Sequence, residues 1–395
     1  MSTVLFAWEL GGGMGHLLPH RELLSALLKK GHTVHVASRD VGRAGVAFEG
    51  LPLHYWPVPL TLDLPKSVYQ PTVSFAQILH NVGFANVSDV ALRIAAWRNL
   101  FAAVHPDILL ADYSPTALLA ARGSQIKTVS IGLGFCLPPN RRPIPPFTTL
   151  AHLSTIEQLM HDESKVTTTI NEALEKHALP KLNCLADLFH QTDAQLLTML
   201  PELDHYPDRG PAEYCGLPPE RAGKQVLLPP GTGRRIYAYL KPFPAIESLL
   251  NLLNQLAFPT MVACDGLSND LRQKHASATL SFVDADVDLT KLAPECYLAI
   301  TNANPTTSAR FLLAGRPVLM IPLQLEQELF AHAVSRQGLG TTVRPNEPQH
   351  FFPQLASLLN DQVCHDAAMK FAAKYANATH NRLERMIAII EQPKS

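Results

Sequence analysis

The sequence predicts an α/β protein made of two doubly wound domains, each with a parallel sheet. Short apolar strands alternate with amphipathic helices in two separate stretches of the chain. A segment rich in proline, glycine and charge, residues 216–233, separates the two stretches. The length of 395 residues suits two cores of common domain size.

The first stretch opens with a strand, a glycine-rich turn, a helix and a second strand. Val4–Trp8 is apolar, Arg21–Lys30 carries leucines at helical spacing, and Thr33–Ala37 is the next apolar run. This βαβ unit requires neighbouring strands to be parallel. The alternation continues with helices at 90–104, Pro115–Arg122 and 150–175, and with strands at Asp107–Ala111 and Lys127–Ile131.

The second stretch repeats the alternation after the linker. The predicted strands are Ile236–Leu240, Thr260–Cys264, Thr279–Val283, Tyr297–Thr301 and Val318–Ile321. The predicted helices are 244–256, Thr306–Ala314, 325–337, 349–360 and most of 363–391. We therefore expect an N-terminal domain at 1–215, a C-terminal domain at 234–375, and a last helix at 376–395 that packs back on the N-terminal domain.

Composition and charge exclude several classes of protein. A net charge of -1 gives no general attraction for nucleic acid or anionic lipid, so we expect no nucleic-acid partner. There is no apolar run of about 18 residues, so we expect no transmembrane segment. The six cysteines show no CxxC spacing, which indicates reduced thiols in a cytoplasmic protein and no metal site. Oligomeric state is left open.

A glycine-rich loop, Gly11–Gly15, follows the first strand and presents His16. Ligands of open α/β sheets bind beyond the carboxyl ends of the strands, where this loop lies. A dinucleotide fingerprint lacks its third glycine here, and a phosphate loop lacks its Gly-Lys-Ser/Thr. Two interpretations remain: a tight turn with His16 capping a helix, or a loop that presents His16 to a substrate.

The segment GGGMGHLLPHRELLSALLKKGHTVHVAS resembles the opening of the UDP-glycosyltransferase superfamily, which is family 1-like and of GT-B fold. The resemblance implies two Rossmann-like domains facing each other across a cleft, with His16 as catalytic base and Pro19 at the helix start. It also implies that Asp112, at the end of a strand, orients His16. The alternative for Asp112 is a helix cap before Pro115. His20, His32 and Asp107 match structural positions of that family.

The segment ITNANPTTSARFLLAGRPVLMIPLQLEQELFAHAVSRQGLG resembles the same family's donor-binding box. Asn302 stands where the family has a phosphate-binding histidine, and Arg310 replaces its ribose-binding glutamate. Lys241 is a candidate for the missing positive charge, and 282–286 lies where the family stacks its base. The donor contacts that the resemblance implies are Gly15, Lys241, Asn302, Asn304, Thr306, Thr307, Ser308, Arg310, Glu326 and Gln327.

Acceptor binding is expected in the N-terminal domain, on loops 53–85 and 132–147. These loops hold aromatic residues and several prolines, which suit an apolar or aromatic acceptor. The candidates are Trp56, Phe84 and Phe135, and the alternative for each is ordinary core packing.

The sequence thus predicts an inverting hexosyltransferase. It would move a sugar from a nucleotide-diphosphate sugar to a hydroxyl of a small acceptor, without a metal or other cofactor. The expected donor is a UDP-sugar. Two alternatives stay open: a non-catalytic or repurposed nucleotide-sugar-binding protein, and a lipid-linked-precursor N-acetylglucosaminyl transferase. An NAD-dependent oxidoreductase fits least, because no fingerprint is complete and Asp40 lies too far past the second strand.

Overall fold

The computed structural model describes residues 1–61, 68–218, 223–284, 287–376 and 382–394. The described residues form two compact units. The first unit contains residues 1–200, 205–218 and 382–394, and the second contains 201–204 and 223–376. The short segment 201–204, which we expected in the N-terminal domain, thus groups with the second unit.

The first unit is built on a six-stranded parallel sheet of order β3-β2-β1-β4-β5-β6. The two central strands, β1 and β4, are almost wholly buried, which accounts for their continuous apolar sequences. The strands are β1 Thr3–Trp8, β2 Thr33–Ser38, β3 His54–Pro57, β4 Ile108–Asp112, β5 Lys127–Gly132 and β6 Ala194–Leu197.

Helices cover both faces of this sheet. In chain order they are α1 Arg21–Lys29, α2 Val41–Ala47, α3 Phe75–Leu79, α4 Val87–Val104, α5 Pro115–Ala121, α6 Ile156–Glu175 and α7 Asp187–His190. Short 3-10 turns lie at Met14–His16, Leu18–His20 and Thr148–Leu153, and a π-helical turn lies at His80–Phe84. Several helices start with the side-chain caps that their sequences favour, including Asp40, Ser74 and Asn86, and α6 has a Thr155–Gln158 capping box.

The second unit repeats the architecture with the order β12-β11-β10-β7-β8-β9, again all parallel. Its strands are β7 Ile236–Leu240, β8 Thr260–Cys264, β9 Leu280–Val283, β10 Leu298–Thr301, β11 Val318–Met320 and β12 Gly340–Thr342. Its helices are α8 Ile246–Leu256, α9 Asn269–His275, α10 Leu289–Leu292, α11 Pro305–Leu313, α12 Leu325–Arg336, α13 Phe351–Asn360 and α14 Gln362–Tyr375, with 3-10 turns at Pro201–Leu203, Ala293–Glu295 and Pro348–His350.

Each sheet has the strand order of a doubly wound Rossmann-like domain. In such a sheet the strands are added first on one side of the first strand and then on its other side. The loops that leave the two strands at this switch point diverge and open a crevice. The reversal lies between β1 and β4 in the first unit and between β7 and β10 in the second. The expected fold class of two doubly wound parallel sheets is confirmed.

The last helix, α15 (Arg382–Glu391), packs on α1 and β6 of the first unit. Lys127 holds its end, because Nζ donates to the carbonyls of Ile389, Ile390 and Gln392 at 2.7, 3.0 and 2.6 Å. A cation at a helix C-terminus satisfies carbonyls that have no partner within the helix. Residues 377–381 and 395 of the predicted 376–395 helix lie outside the described residues.

Some short elements were not predicted. The edge strands β3 and β12 have only four and three residues, and they lack the long apolar runs of the central strands. No helix in the described parts of the chain is long and apolar enough to cross a membrane.

Candidate active site

The crevice of the first unit brings the ends of β1 and β4 together. These strands pair in register, with Trp8 opposite Asp112 at their carboxyl ends. After β1 the chain turns through the glycine loop and returns as a 3-10 turn that ends at His16. A backbone hydrogen bond from Leu10 to the carbonyl of Tyr113, 3.0 Å long, ties the two loops together.

This arrangement places His16 against Asp112. Nδ1 of His16 lies 3.0 Å from Oδ1 of Asp112. The Asp112 side chain is almost fully buried, whereas 13 % of the His16 side chain is exposed. The indole of Trp8 stacks on the imidazole, with ring centroids 5.4 Å apart and planes 17° apart. His16 is therefore held on one ring face and at one nitrogen while it remains accessible.

Asp112 has a second histidine partner. Nε2 of His20 lies 2.6 Å from Oδ2 of Asp112, and the residue is only 2 % exposed. Burial alone would raise the pKa of the Asp112 carboxyl, but the charge and hydrogen bonds of His16 and His20 outweigh burial and lower it below its usual value. Asp112 is thus a carboxylate between two imidazoles. Sequence reasoning assigned His20 a structural position and missed this contact.

Two glycines leave room for the histidine and the carboxylate. Gly11 has a φ of +81°, and a Cβ there would lie 2.4 Å from Nε2 of His16. Gly132 has a φ of +150°, and a Cβ there would lie 3.3 Å from Oδ1 of Asp112. Glycine is needed at Gly11 for conformation and for space. Arg39, at the end of β2, donates to the Gly11 carbonyl at 2.5 Å and holds the loop.

A chain of aromatic ring contacts leads away from His16. The Tyr113 ring lies 6.0 Å from the imidazole, and Phe75 and Phe135 lie 6.2 and 6.3 Å from Tyr113. Tyr113 has a φ of 46°, a strained conformation for a residue with a side chain, directly after Asp112. Phe135 is half-buried and contacts Tyr113, and its role as an acceptor contact stays a prediction. Tyr113 was not predicted, because its importance depends on a backbone angle.

The other two acceptor candidates lie elsewhere. Phe84 is fully buried, with the Arg93 guanidinium 4.7 Å from its ring centroid, so its assignment to the acceptor site is corrected to core packing. Trp56 lies on the edge strand β3, and its indole donates to Nδ1 of His35 at 2.9 Å. An acceptor contact of Trp56 stays a prediction.

The corresponding crevice of the second unit contains Asn302, but in an internal role. Its Oδ1 accepts from the backbone of Lys241 at 2.5 Å, and its Nδ2 donates to the carbonyl of Ile321 at 2.8 Å. The side chain is fully buried and joins the ends of β7, β10 and β11. The phosphate contact predicted for Asn302 is therefore corrected: in this structure its amide stabilises the sheet edge.

Helix α11 begins beside Asn302 with its first turn exposed in part. Asn304 precedes the helix without a side-chain cap, and Pro305 at the first position removes one donor. Thr306 and Thr307 are half-buried, and their contact with a ligand stays a prediction. Ser308 is fully buried and bonds to Thr301 Oγ1 at 2.8 Å, so its predicted phosphate contact is corrected.

Lys241 lies at the carboxyl end of β7, where the sequence placed it. Its ammonium pairs with the Asp265 carboxylate at the protein surface. A hydrogen bond and charge from Lys241 lower the pKa of Asp265. A positive charge is present at this edge, but it is shared with a carboxylate. Arg310, on α11, is half-buried, and its contact with the donor stays a prediction.

The two residues predicted to contact the sugar differ in accessibility. Glu326 is half-buried in the first turn of α12, whereas Gln327 is 8 % exposed. The Gln327 Oε1 accepts from the Leu323 backbone at 2.7 Å, so this oxygen supports the loop before α12.

Gly15 is exposed, with open space where a Cβ would be. Within the predicted base-stacking segment 282–286, residues 285 and 286 lie outside the described residues.

Sequence comparison finds glycosyltransferases. No family model matches the chain. Zeaxanthin glucosyltransferase of Pseudescherichia vulneris is 27 % identical over 66 % of this chain and 67 % of the relative. A PGL/p-HBAD biosynthesis glycosyltransferase of Mycobacterium tuberculosis is 27 % identical over 66 % of this chain, and the alignment spans less than two thirds, 64 %, of that protein.

A third relative aligns along nearly the whole chain. It is the UDP-N-acetylglucosamine--N-acetylmuramyl-(pentapeptide) pyrophosphoryl-undecaprenol N-acetylglucosamine transferase of Phenylobacterium zucineum, which is 23 % identical over 97 % of this chain and 96 % of the relative.

Solved structures of the same fold are also glycosyltransferases. The calicheamicin glycosyltransferase CalG4 superposes with a TM-score of 0.73 at 14 % identity, over 99 % of this chain and 98 % of that chain. VinC, solved in complex with dTDP, gives a TM-score of 0.67 at 19 % identity, over 98 % and 99 %. The GT-B fold and the resemblance to glycosyltransferases predicted from the two sequence motifs are confirmed, and the relatives support a hexosyltransferase.

Proposed function

We propose that this chain, which resembles glycosyltransferases in sequence and shares their fold, is an inverting hexosyltransferase with His16 as its base. The donor is a nucleotide-diphosphate sugar, with a UDP-sugar the first to test. The acceptor is a hydroxyl on a small apolar or aromatic molecule. The observation that carries the proposal is the hydrogen bond between Nδ1 of His16 and the buried carboxylate of Asp112.

That hydrogen bond determines which nitrogen of His16 can act as a base. A carboxylate only accepts hydrogen bonds, so the neutral imidazole carries its proton on Nδ1 and its lone pair on Nε2. Nε2 is the other ring nitrogen, which lies next to Gly11 and not at Asp112. An acceptor hydroxyl at Nε2 loses its proton to His16 as its oxygen bonds to the anomeric carbon.

The same attack breaks the bond between the anomeric carbon and the nucleoside diphosphate. One displacement from the face opposite the leaving group inverts the anomeric configuration. Asp112 stabilises the imidazolium that forms, and a well-placed general base of this kind contributes roughly 10²–10⁴-fold in rate. His20 keeps Asp112 in place through the other carboxylate oxygen.

The donor diphosphate is assigned to the second unit, at the start of α11. The partial positive charge and backbone N–H groups of a helix N-terminus favour phosphate oxygens. Asn304 provides no side-chain cap that would compete for these groups. Thr306 and Thr307 offer hydroxyl donors, and Lys241 and Arg310 are the cations of this region. Glu326 is the better placed of the two predicted sugar contacts, because it is less buried than Gln327.

An apolar acceptor is supported by the side chains around His16. Tyr113, Phe135 and Phe75 form a continuous set of ring contacts that begins at the imidazole. Aromatic side chains with few polar groups suit an apolar ligand that carries one reacting hydroxyl. The first relative is named for zeaxanthin, a largely apolar diol, which agrees with this choice.

One alternative is favoured by a specific observation. The relative named as a lipid-linked-precursor N-acetylglucosamine transferase matches 97 % of this chain, which is more than the other two relatives match. That function needs a UDP-N-acetylglucosamine donor and a pyrophosphate-linked lipid acceptor. It keeps the role proposed for His16 and changes the transferred sugar and the acceptor.

A product screen tests the proposal. Purified protein is incubated with UDP- and dTDP-sugars and with a panel of apolar alcohols, phenols and a lipid pyrophosphate, and mass spectrometry detects a mass gain of one hexose or N-acetylhexosamine. Transfer to an apolar hydroxyl with an inverted anomeric centre supports the proposal. Transfer to the lipid pyrophosphate alone supports the alternative. Donor binding without any transfer contradicts both.

A further inference from the structure

The fold brings a cysteine to the pair formed by His16 and Asp112. Cys136 lies in the turn after β5, where its backbone N–H donates to the Leu133 carbonyl at 3.0 Å. A Cβ built on Gly132 would lie 3.3 Å from Asp112 Oδ1 and 3.9 Å from the Cys136 Cβ, so the carboxylate and Cys136 share the space beside this glycine. Sequence spacing predicted no metal site, because these residues lie far apart in the chain.

These three side chains offer an imidazole nitrogen, a carboxylate oxygen and a thiol sulfur, and the three ligand atoms lie within 4.8 Å of one another. Zinc bonds of about 2.0–2.3 Å place the ligand atoms of a tetrahedral site roughly 3.3–3.8 Å apart. Small side-chain rotations therefore suffice to close the set around one ion. Asp112 and Cys136 are buried, and the exposed part of His16 gives access.

We propose that His16, Asp112 and Cys136 form an inhibitory site for a thiophilic divalent transition-metal ion such as Zn²⁺. Nδ1 is the His16 nitrogen that faces Asp112, so it is the ligand atom. The ion takes the place of the proton on Nδ1, which moves to Nε2 of the same ring, and of the proton of the thiol, which goes to solvent. A nitrogen, an oxygen and a sulfur ligand suit zinc and its neighbours better than Mg²⁺ or Ca²⁺.

The consequence for transfer rests on the proposed function of His16. An imidazole bound to a metal through Nδ1 carries its remaining proton on Nε2, so Nε2 can no longer accept the proton of a hydroxyl. The metal therefore holds His16 in the tautomer with a proton on Nε2, which cannot act as the base. Inhibition should lower kcat and leave donor binding, which is assigned to the second unit, unchanged.

Cobalt binding tests the site without any need for activity. The full-length protein is titrated with Co²⁺ in the absence of oxygen, and the near-ultraviolet thiolate-to-cobalt charge-transfer absorption is recorded. We expect this band in the wild type and in Cys184→Ser, which removes a half-buried thiol three residues before α7. We expect no band in Cys136→Ser and a weakened one in His16→Gln, with melting temperatures to show that the variants fold.

Zinc inhibition of transfer is then compared among the same proteins. Loss of a residue that only supports a metal ligand costs roughly 10–100-fold in affinity, so loss of the Cys136 ligand should raise the half-inhibiting Zn²⁺ concentration at least about tenfold. Cys184→Ser should match the wild type. A missing cobalt–thiolate band in the wild type, or equal zinc inhibition of wild type and Cys136→Ser, overturns the proposal. If the protein transfers no sugar at all, the cobalt titration still decides whether the metal site exists.

Discussion

Gly11 lies against Nε2 of His16, so close that a Cβ on this residue would be 2.4 Å from the nitrogen. The loop backbone therefore lies close to the nitrogen that we propose as the base and limits the movement of the imidazole. Only glycine provides both this space and the φ of +81°.

Gly11→Ala should consequently displace the His16 ring and reduce kcat by about tenfold or more, because small misplacements of a reacting group cost large factors in rate. Gly12→Ala is the matched control, since nothing lies within 4 Å of its Cβ position and its φ is not in the left-handed region. Steady-state rates and melting curves of the two variants provide the comparison. An equal loss of kcat in Gly11→Ala and Gly12→Ala would show that the contact with His16 is not the cause.

His20 is predicted to be a positioning residue, acting through Asp112. His20→Leu leaves one oxygen of a buried carboxylate without its partner, which should lower the free energy of unfolding by about 1–3 kcal/mol. It should also reduce kcat more than it changes KM for the donor. His20→Gln, whose amide nitrogen reaches a similar position to Nε2, should restore much of the rate. If His20 had a purely structural role, His20→Leu would lose the same stability but keep the wild-type kcat. That result would contradict the prediction.

The lowered pKa of Asp112 has a consequence for acid stability. A carboxyl whose pKa is lower in the folded state stabilises the fold above its unfolded pKa of 3.8, and this contribution disappears as pH falls through the folded value. The difference in unfolding free energy between wild type and Asp112→Asn should therefore shrink below about pH 4, as measured by urea denaturation. A difference that grows as the solution becomes more acidic would contradict this.

Lys241 is predicted to contribute to donor binding in competition with Asp265. Asp265→Asn should free the ammonium for the diphosphate and tighten donor binding, whereas Lys241→Met should weaken it. Both residues are largely exposed, so each change should be less than about tenfold. Calorimetry with the best donor of the product screen measures both. Weaker binding in Asp265→Asn would mean that Lys241 does not contact the phosphates.

The sequence predicted the α/β series, the strand ends and the proximity of His16 to Asp112 because each depends on a local pattern or a family motif. Trp8 and Asp112 lie opposite each other because β1 and β4 are neighbouring strands, as the doubly wound order requires. The roles of His20, Tyr113 and Cys136 were missed because they depend on where loops from distant parts of the chain meet. Asn302 and Ser308 carry polar groups at motif positions, and only the packing shows that both are used internally.

The transfer rate of His16→Ala, measured beside its donor affinity, tests the central claim most directly. The variant removes the base and its Nδ1 contact to Asp112 at a position in the first unit. We predict a loss of roughly 10²–10⁴-fold in kcat, with donor affinity by calorimetry unchanged. Transfer at the wild-type rate in a folded His16→Ala protein would contradict the assignment of His16 as the base.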